Sequence, residues 1–380
     1  MKSLFIICVF FILYTYLGYP LILSILSFFI RQDETPSKNN PNKYPLVSLI
    51  ISAYNEETVI AEKIKNSLEL NYPKDKLEII VASESIDSTN EITQKYAKDG
   101  VKLYAFTTRI GKAGTLYRTI PLAKGSIIIF SDANGMYDKN AVKKIVEKFY
   151  DKKIGCVSGQ LRYTNPGNTT IGESEGLYWQ YEQIIKHCES KILSLLGVNG
   201  SIFAIRKELY SPITIDRGDD FELAVRVALN GHGVILEKEA ISYEKASVKT
   251  KDEFKRKVRI ISWCAKSAFI LLQEAFHAKK WLIAFEIISH KILRWFIPFF
   301  LCGIFIASIS CEGLIYSITI LLQAAFYMAA FTGYILEKNN KPIPFFFNIP
   351  YYFCVVYLAA LAGIYKLIFN KQKSAWEKVR

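Results

Sequence analysis

Four apolar residues, Ile127 to Phe130, run into Ser131-Asp132-Ala133-Asn134 before a helical pattern resumes near Asp138. The apolar run reads as a buried strand. A strand that ends in two oxygen-bearing side chains, Asp132 and Asn134, carries donors for a hard cation such as Mg²⁺ or Mn²⁺, with phosphate oxygens completing the shell. An isolated D-x-N is more often a turn followed by a helix cap. Its surroundings shift that balance. "LVSLIISAYNEE" (46–57) and "LEIIVASESIDSTNEI" (77–92) repeat the same scheme of apolar strand, polar turn and helix. Alternating strands and helices predict a mostly parallel, doubly wound sheet, whose ligands bind beyond the carboxyl ends of the strands. Asn55/Glu56, Glu84/Asp87 and Asp132/Asn134 then border one crevice. "RIGKAG" (109–114) adds Arg109 and Lys112, cations suited to a diphosphate.

Two common nucleotide folds are excluded. No G-x-G-x-x-G follows the first strand, and no G-x-x-x-x-G-K-[ST] occurs, against a dinucleotide dehydrogenase and a P-loop NTPase. The four histidines (187, 232, 277, 290) are scattered and receive no role. The seven cysteines show no paired spacing, which points to reduced thiols and away from a disulfide frame or zinc site.

The elements that position this crevice lie between apolar blocks. Ser3 to Ile30 hold no charged side chain, 28 residues in all, where about 20 span a bilayer. This predicts a retained membrane anchor over 1–30, followed by a linker at 31–44. Uncharged runs at 295–311 and 313–336, and a third at 342–365 after "EKNNK", predict a C-terminal membrane region over 295–369. A basic tail covers 370–380. The α/β domain occupies 45–243, and 244–294 form basic amphipathic helices at the interface. That last stretch holds 12 Lys/Arg against 5 Asp/Glu, more than half of the net charge of +13. Because it directly precedes membrane segments, an anionic membrane surface is its expected partner and nucleic acid is not. Phe254, Val258, Ile261, Ala265, Phe269, Leu272 and Phe276 predict the apolar stripe of a helix in the membrane surface. The basic flanks place the domain on the cytoplasmic side of a plasma (inner) membrane, as a multi-pass protein.

The order of motifs resembles membrane-bound family 2 glycosyltransferases with a GT-A fold, of the kind that includes poly-N-acetylglucosamine synthases and cellulose synthase-like transferases. The resemblance runs from about Pro45 to Ile260. It implies an α/β, Rossmann-like cytosolic domain between transmembrane helices, and an inverting transferase acting on a nucleotide-sugar donor, of the UDP-sugar type. By position it gives Tyr54, Glu56 and Glu84 to the nucleotide, Lys112 to the donor, and Asp132 to ribose and metal with Asn134 as second ligand. "GVNGSIFAIRKELY" (197–210) resembles the acceptor-side segment, which brings in Asn199 and Gly200. "GDDFELAVR" (218–226) reproduces the spacing of E-D-x-D-L-x-x-R, so the resemblance makes Asp220 the general base and puts Asp219 beside it. The acidic residues Asp219, Asp220 and Glu222 also suit a helix N-terminus. Processive members carry Q-x-x-R-W where this chain reads Arg256-Lys257-Val258-Arg259-Ile260, and Arg256 and Arg259 are candidates for the diphosphate or for lipid head groups.

The implied partners are a nucleotide-sugar, a lipid-linked or glycan acceptor, the membrane, and polysaccharide export or assembly subunits. A decayed transferase fold acting as a non-catalytic assembly partner is the alternative, favoured by Glu84, where the family usually has an aspartate, and by Arg256, and opposed by Asp132, Asp219 and Asp220. Topology brings two rules into conflict. Three C-terminal spans would export Lys371, Lys373, Lys378 and Arg380 of the tail, against the positive-inside rule. Residues 342–352, with three prolines and an asparagine, make a poor straight helix. The expectation is a block that does not cross fully and a cytoplasmic C-terminus.

Overall fold

The β-rich runs form where apolar and β-branched residues are bounded by turn chemistry. The computed structural model describes residues 1–29, 44–164, 170–214, 217–245 and 250–369, with side chains from Gln180 onward in the long helix that opens at Thr170. Its strands are β1 (Val47–Ala53), β2 (Leu77–Ser83), β3 (Lys102–Ala105), β4 (Ile127–Asp132), β5 (Met136–Tyr137), β6 (Ile154–Tyr163), β7 (Phe203–Arg206) and β8 (Gly233–Glu244). They make one sheet in the order β3-β2-β1-β4-β7-β6-β8-β5. The β3-β2-β1-β4 half is parallel, as expected. The other half is mixed: β7 runs antiparallel to β4 and β6, β6 and β8 are parallel, and β5 is antiparallel to β8. β7, only four residues long, enters the sheet from the loop after residue 197 and runs antiparallel to both of its neighbours.

Register decides where the polar turns fall. Ser52 lies opposite Asp132, and Ala53 opposite Ser83, so the turns after β1, β2 and β4 meet at one edge. On one face of the sheet, α3 (Ile60–Leu68) and α6 (Ala141–Lys148) bury Ile60, Ile64, Ile145 and Val146. Between them in sequence lie α4 (Thr89–Gln94) and α5 (Lys112–Thr119). The other face packs α5, α8 (Asp219–Leu229) and α9 (Thr250–His277) against β4 and β7, whose Phe130 and Phe203 rings stack 4.3 Å apart.

Among the described residues, four helical stretches are long and apolar enough to cross a membrane: Lys2–Phe29, Trp281–Ile309, Leu314–Lys338 and Phe345–Ile368. The first joins α1 (Lys2–Leu13) to α2 (Tyr19–Phe29) through a π-helical turn at Tyr14–Gly18. Helix α7 (Thr170–Lys191) belongs to the domain and leans on α2. The second stretch joins α10 (Trp281–Glu286) to α11 (Leu293–Ile309) through a π segment, Ile287–Ile292. It begins at Trp281, ahead of the uncharged run at 295, because His290 and Arg294 find carboxylate partners and need not stay in water. Helices α12 (Leu314–Lys338) and α13 (Phe345–Ile368) follow. The linker expectation for 31–44 falls almost wholly, and that for the tail wholly, outside the described residues.

Of the α9 stripe expected to face the membrane surface, Val258 and Ala265 are buried against protein, while Phe269 and Phe276 are about half exposed. The buried face is Val258, Ser262, Ala265, Ala268, Leu271 and Ala275. Small side chains win because α9 is held between α8 and α13. Cys264 Sγ would lie 3.0 Å from a Cβ at Gly218, and Ile261 Cγ2 3.0 Å from one at Gly363.

Candidate active site

Tyr54, Glu84, Arg109, Lys112 and Thr115 line a hollow at the edge where the parallel strands end. The Arg109 guanidinium sits 3.7 Å from the Tyr54 ring centroid, a flat cationic-aromatic platform suited to a nucleobase and its phosphates. Glu84 faces the same hollow with its carboxylate engaged. Its Oε1 accepts from Ile110 N–H (3.1 Å) and Arg118 (2.5 Å), and Oε2 from Gly111 N–H (2.8 Å). Gly111 has φ +85°, a conformation suited to glycine, and this turn aims both N–H groups at Glu84. Glu84 therefore fixes the Arg109–Lys112 turn, and its contact with a base would be secondary to that task. The first two loops are knitted together. Asn55, at φ +55°, donates its N–H to Ser85 Oγ (2.9 Å) and accepts Ile86 N–H (3.0 Å). Glu56 N–H donates to Thr89 Oγ1 (2.8 Å).

Deeper in the crevice the charges gather around Lys112, at the start of α5. Its Nζ lies 2.8 Å from Asp132 Oδ1 and 3.5 Å from Asp219 Oδ2, with the Gly200 carbonyl at 3.5 Å. Burial opposes its charge, but the two carboxylates outweigh burial and hold it protonated well above the usual lysine range. Asp220 follows Asp219 in the first turn of α8, and a Cβ at Gly200 would stand 3.2 Å from its Oδ2. Burial, and then the Asp219 charge, push the Asp220 carboxyl up to about 6. Lys112, Asp132, Asp219, Asp220 and Gly200 are thus brought together.

Asn134 sits in the turn between β4 and β5, half buried. Behind that turn, Lys63 donates to the Gly135 carbonyl and lies 3.8 Å from the Tyr137 ring centroid. Burial lowers Lys63 to about 7 against the pull of Asp132 and Glu244. Among the described residues no three His, Cys, Asp or Glu side chains gather as a metal cage. The donor set does suit a hard cation that brings phosphate oxygens with it: one carboxylate, Asp132, with more than a third of its side chain exposed to the crevice (37%), and one amide oxygen two residues on.

The acceptor-side segment is anchored by Asn199, whose N–H donates to Ser158 Oγ (3.0 Å) and whose amide donates to the Gly159 carbonyl. Its Oδ1 accepts from Lys186 Nζ at 3.2 Å. Glu222, fully buried, accepts from Arg217 (2.9 Å), Arg226 (3.0 and 2.9 Å) and Ser267 (2.9 Å), which ties the start of α8 to α9. Arg256 is turned to Glu253 (2.8 and 2.9 Å), and Arg259 lies 5.8 Å from the Trp263 ring centroid. Both of these contacts lie within α9 itself.

The sequence reading missed one group altogether. His290 Nδ1 lies 2.5 Å from Glu189 Oε1, and Nε2 2.9 Å from Glu182 Oε1. Arg294 donates to Glu182 (2.6 Å), and Tyr19 to Glu189 (2.8 Å). Arg294 and His290 hold Glu182 well below the usual carboxylate range despite burial. This buried layer joins the anchor, α7 and the second membrane stretch. A histidine and an arginine beside a hydrophobic run were its only signal in the sequence.

Residues 48–213 match the family described as "Glycosyl transferase family 2". A probable glycosyltransferase, YdaM, of Bacillus subtilis (strain 168) is 27% identical over 282 residues, covering 69% of this chain and 65% of the relative. The poly-beta-1,6-N-acetyl-D-glucosamine synthase of Staphylococcus aureus (strain COL) is 23% identical over 70% of this chain and 67% of its own. The chain thus spans about two thirds of the length of these relatives. Among solved structures, the mannosyltransferase PcManGT of Pyrobaculum calidifontis, in complex with GDP-Man and Mn²⁺, superposes with a TM-score of 0.72 at 21% identity, over 97% of this chain and 100% of that one. Over residues 48–213 the chain matches glycosyl transferase family 2, and it does so as a multi-pass membrane protein with a GT-A-like fold.

Proposed function

We propose that the protein is an inverting glycosyltransferase. It moves a sugar from a nucleoside-diphosphate sugar, of the UDP-sugar type, to a membrane-associated glycan or lipid-linked acceptor in cell-surface polysaccharide synthesis. The domain faces the cytoplasm, where such donors are made, and export or assembly subunits would take the product onward. The observation that carries this reading is Asp220, raised to about 6 and set across Gly200 from Lys112, at the inner end of the Tyr54/Arg109 hollow. A carboxylate with that affinity is mostly ionised at neutral pH yet basic enough to take a hydroxyl proton.

The chemistry follows from placement. Tyr54 and Arg109 hold the nucleoside end, and Lys112 faces the diphosphate. Asp220 accepts the acceptor's hydroxyl proton as that oxygen bonds to the anomeric carbon and the diphosphate departs with the electron pair of the broken bond. One base and no side-chain nucleophile give a single displacement with inversion. Asp132 with Asn134 would hold Mg²⁺ or Mn²⁺, and the bound metal would supply positive charge for the departing diphosphate. Glu84 and Glu222 position the turn and helix that carry Lys112 and Asp220.

The direct test is nucleotide release by the purified full chain in lipid nanodiscs, across a panel of nucleotide sugars. In Asp220→Asn, nucleotide-sugar binding is retained while transfer falls roughly 10²- to 10⁴-fold. Near-normal turnover in that variant would overturn the assignment. Chelation should abolish transfer and Mn²⁺ or Mg²⁺ restore it. Full activity after thorough chelation would leave Asp132 a ribose contact alone.

A further inference from the structure

Strands β4 and β7 pair from Ile127 opposite Arg206 to Phe130 opposite Phe203, and there the ladder ends. Beyond Phe130, β4 stays with β1 as far as Asp132, which lies opposite Ser52. On the β7 side the chain turns away. Ile202 N–H donates to the Asn199 carbonyl (2.9 Å), and the Ile202 carbonyl accepts from Gly159 N–H (2.9 Å). The two strands thus open into a fork. One arm carries Asp132 and Asn134, and the other carries Asn199, Gly200 and Ser201.

Tyr137 stands in that fork. It is buried, and its hydroxyl lies 2.9 Å from the Phe130 carbonyl and 2.9 Å from the Ser201 carbonyl, so one proton serves both arms. Helix α3 seats the residue from behind. Lys63, fully buried, donates to the Gly135 carbonyl and lies 3.8 Å from the Tyr137 ring centroid. Asn66, three residues on and so on the same helix face, donates to the Tyr137 carbonyl (2.9 Å) and accepts the Tyr137 N–H (2.8 Å). From β8, Ser242 closes on the turn, since a Cβ at Gly135 would fall 2.9 Å from its Oγ. An ammonium is costly to bury, and here it is spent on the backbone of a turn that borders the crevice.

We propose that Tyr137, held by Lys63 and Asn66, is a positioning residue that sets how far the fork opens. It thereby fixes the distance between the Asp132–Asn134 turn and the acceptor-side segment. Transfer needs the diphosphate on one arm and the acceptor's hydroxyl beside the other in fixed register, and a misplacement of about 1 Å can cost on the order of 10²-fold in rate. Tyr137 acts on that register through the two carbonyls, not through contact with either reactant. This deepens the transferase reading and rests on it for the reaction whose parts are held in register.

The test compares wild type, Tyr137→Phe and Lys63→Met as full chains in lipid nanodiscs. Tyr137→Phe removes one oxygen and keeps the ring against Lys63. Its kcat for nucleotide release should fall about tenfold with the nucleotide-sugar KM unchanged, because the Tyr54 and Arg109 platform is untouched. A role in stability alone would lower the thermal midpoint and leave kcat per folded molecule at the wild-type value. Hydrogen–deuterium exchange reads the fork directly: the amides of 131–135 and of 199–202 should both exchange faster. Lys63→Met, which unseats the ring but keeps the hydroxyl, should reproduce the kcat loss and the paired rise, and it decides the matter if Tyr137→Phe does not fold. A normal kcat, or faster exchange on one arm only, would overturn the proposal. Exchange needs no turnover. A wild type that releases no nucleotide would overturn the transferase reading, and exchange at the two arms would still decide the role of Tyr137.

Discussion

At the residue scale, Asp220 sets the pH response. A base works when deprotonated, so kcat/KM should fall tenfold per pH unit below about 6 and level off above it. Burial is the larger cause of the raised value and the Asp219 charge the next, so Asp219→Asn should move the acid limb to lower pH without removing it. A limb that stays in place in that variant would show that Asp219 does not act on Asp220. Asp132, Lys112 and Asp220 were legible in the sequence because each lies in a motif whose spacing survives without tertiary information. The engagement of Glu84 was not legible, since it depends on two N–H groups delivered by a turn 26 and 27 residues away. Lys63 and Lys186 were hidden for a related reason: a lysine on a helix reads as a solvated charge until the fold buries it.

At the element scale, the parallel half of the sheet and the placing of its turns followed from apolar runs punctuated by polar clusters. The mixed half did not, because short strands such as Phe203–Arg206 carry no sign of direction. The small residues through which α9 meets α8 and α13 could not be picked out in the sequence, because their partners come from distant elements. Gly363 marks such a contact: a Cβ would fall 3.0 Å from Ile261 Cγ2 and 3.2 Å from the Val258 carbonyl. Gly363→Val should therefore force α13 and α9 apart, with a destabilisation of about 1–3 kcal/mol. A lower thermal midpoint of the detergent-solubilised protein is the measurement, and an unchanged midpoint would show the helices to be loosely joined.

At the scale of the molecule, the membrane helices have a readable direction. Phe5 in α1 meets Tyr316 at the start of α12, with ring centroids 5.1 Å apart, which marks one end of the bundle. Tyr19, Arg294 and Glu337 mark the other, through Glu189, Glu182 and Thr250 on the domain side. Helix α13 starts at that domain side, where Tyr351 donates to Glu337. Its last turns return there, with Ile364 and Leu367 against the core shared with α8 and α9. Although long enough to span, α13 is held at both ends by elements on the catalytic side, like a strap across the base of the bundle. The tail beyond it lies outside the described residues, but a cysteine placed at Phe369 in a cysteine-free background should resist an impermeant reagent added to intact cells. Ready labelling from outside would make α13 a fourth crossing.

That strap changes a parity. With Lys2–Phe29, Trp281–Ile309 and Leu314–Lys338 as the passes, an odd number, the first residue and the end of α13 should lie in different compartments. A fluorescent protein that matures only in the cytosol should then glow when fused after Arg380 and stay dark when fused before Met1. Four passes would make the two fusions behave alike.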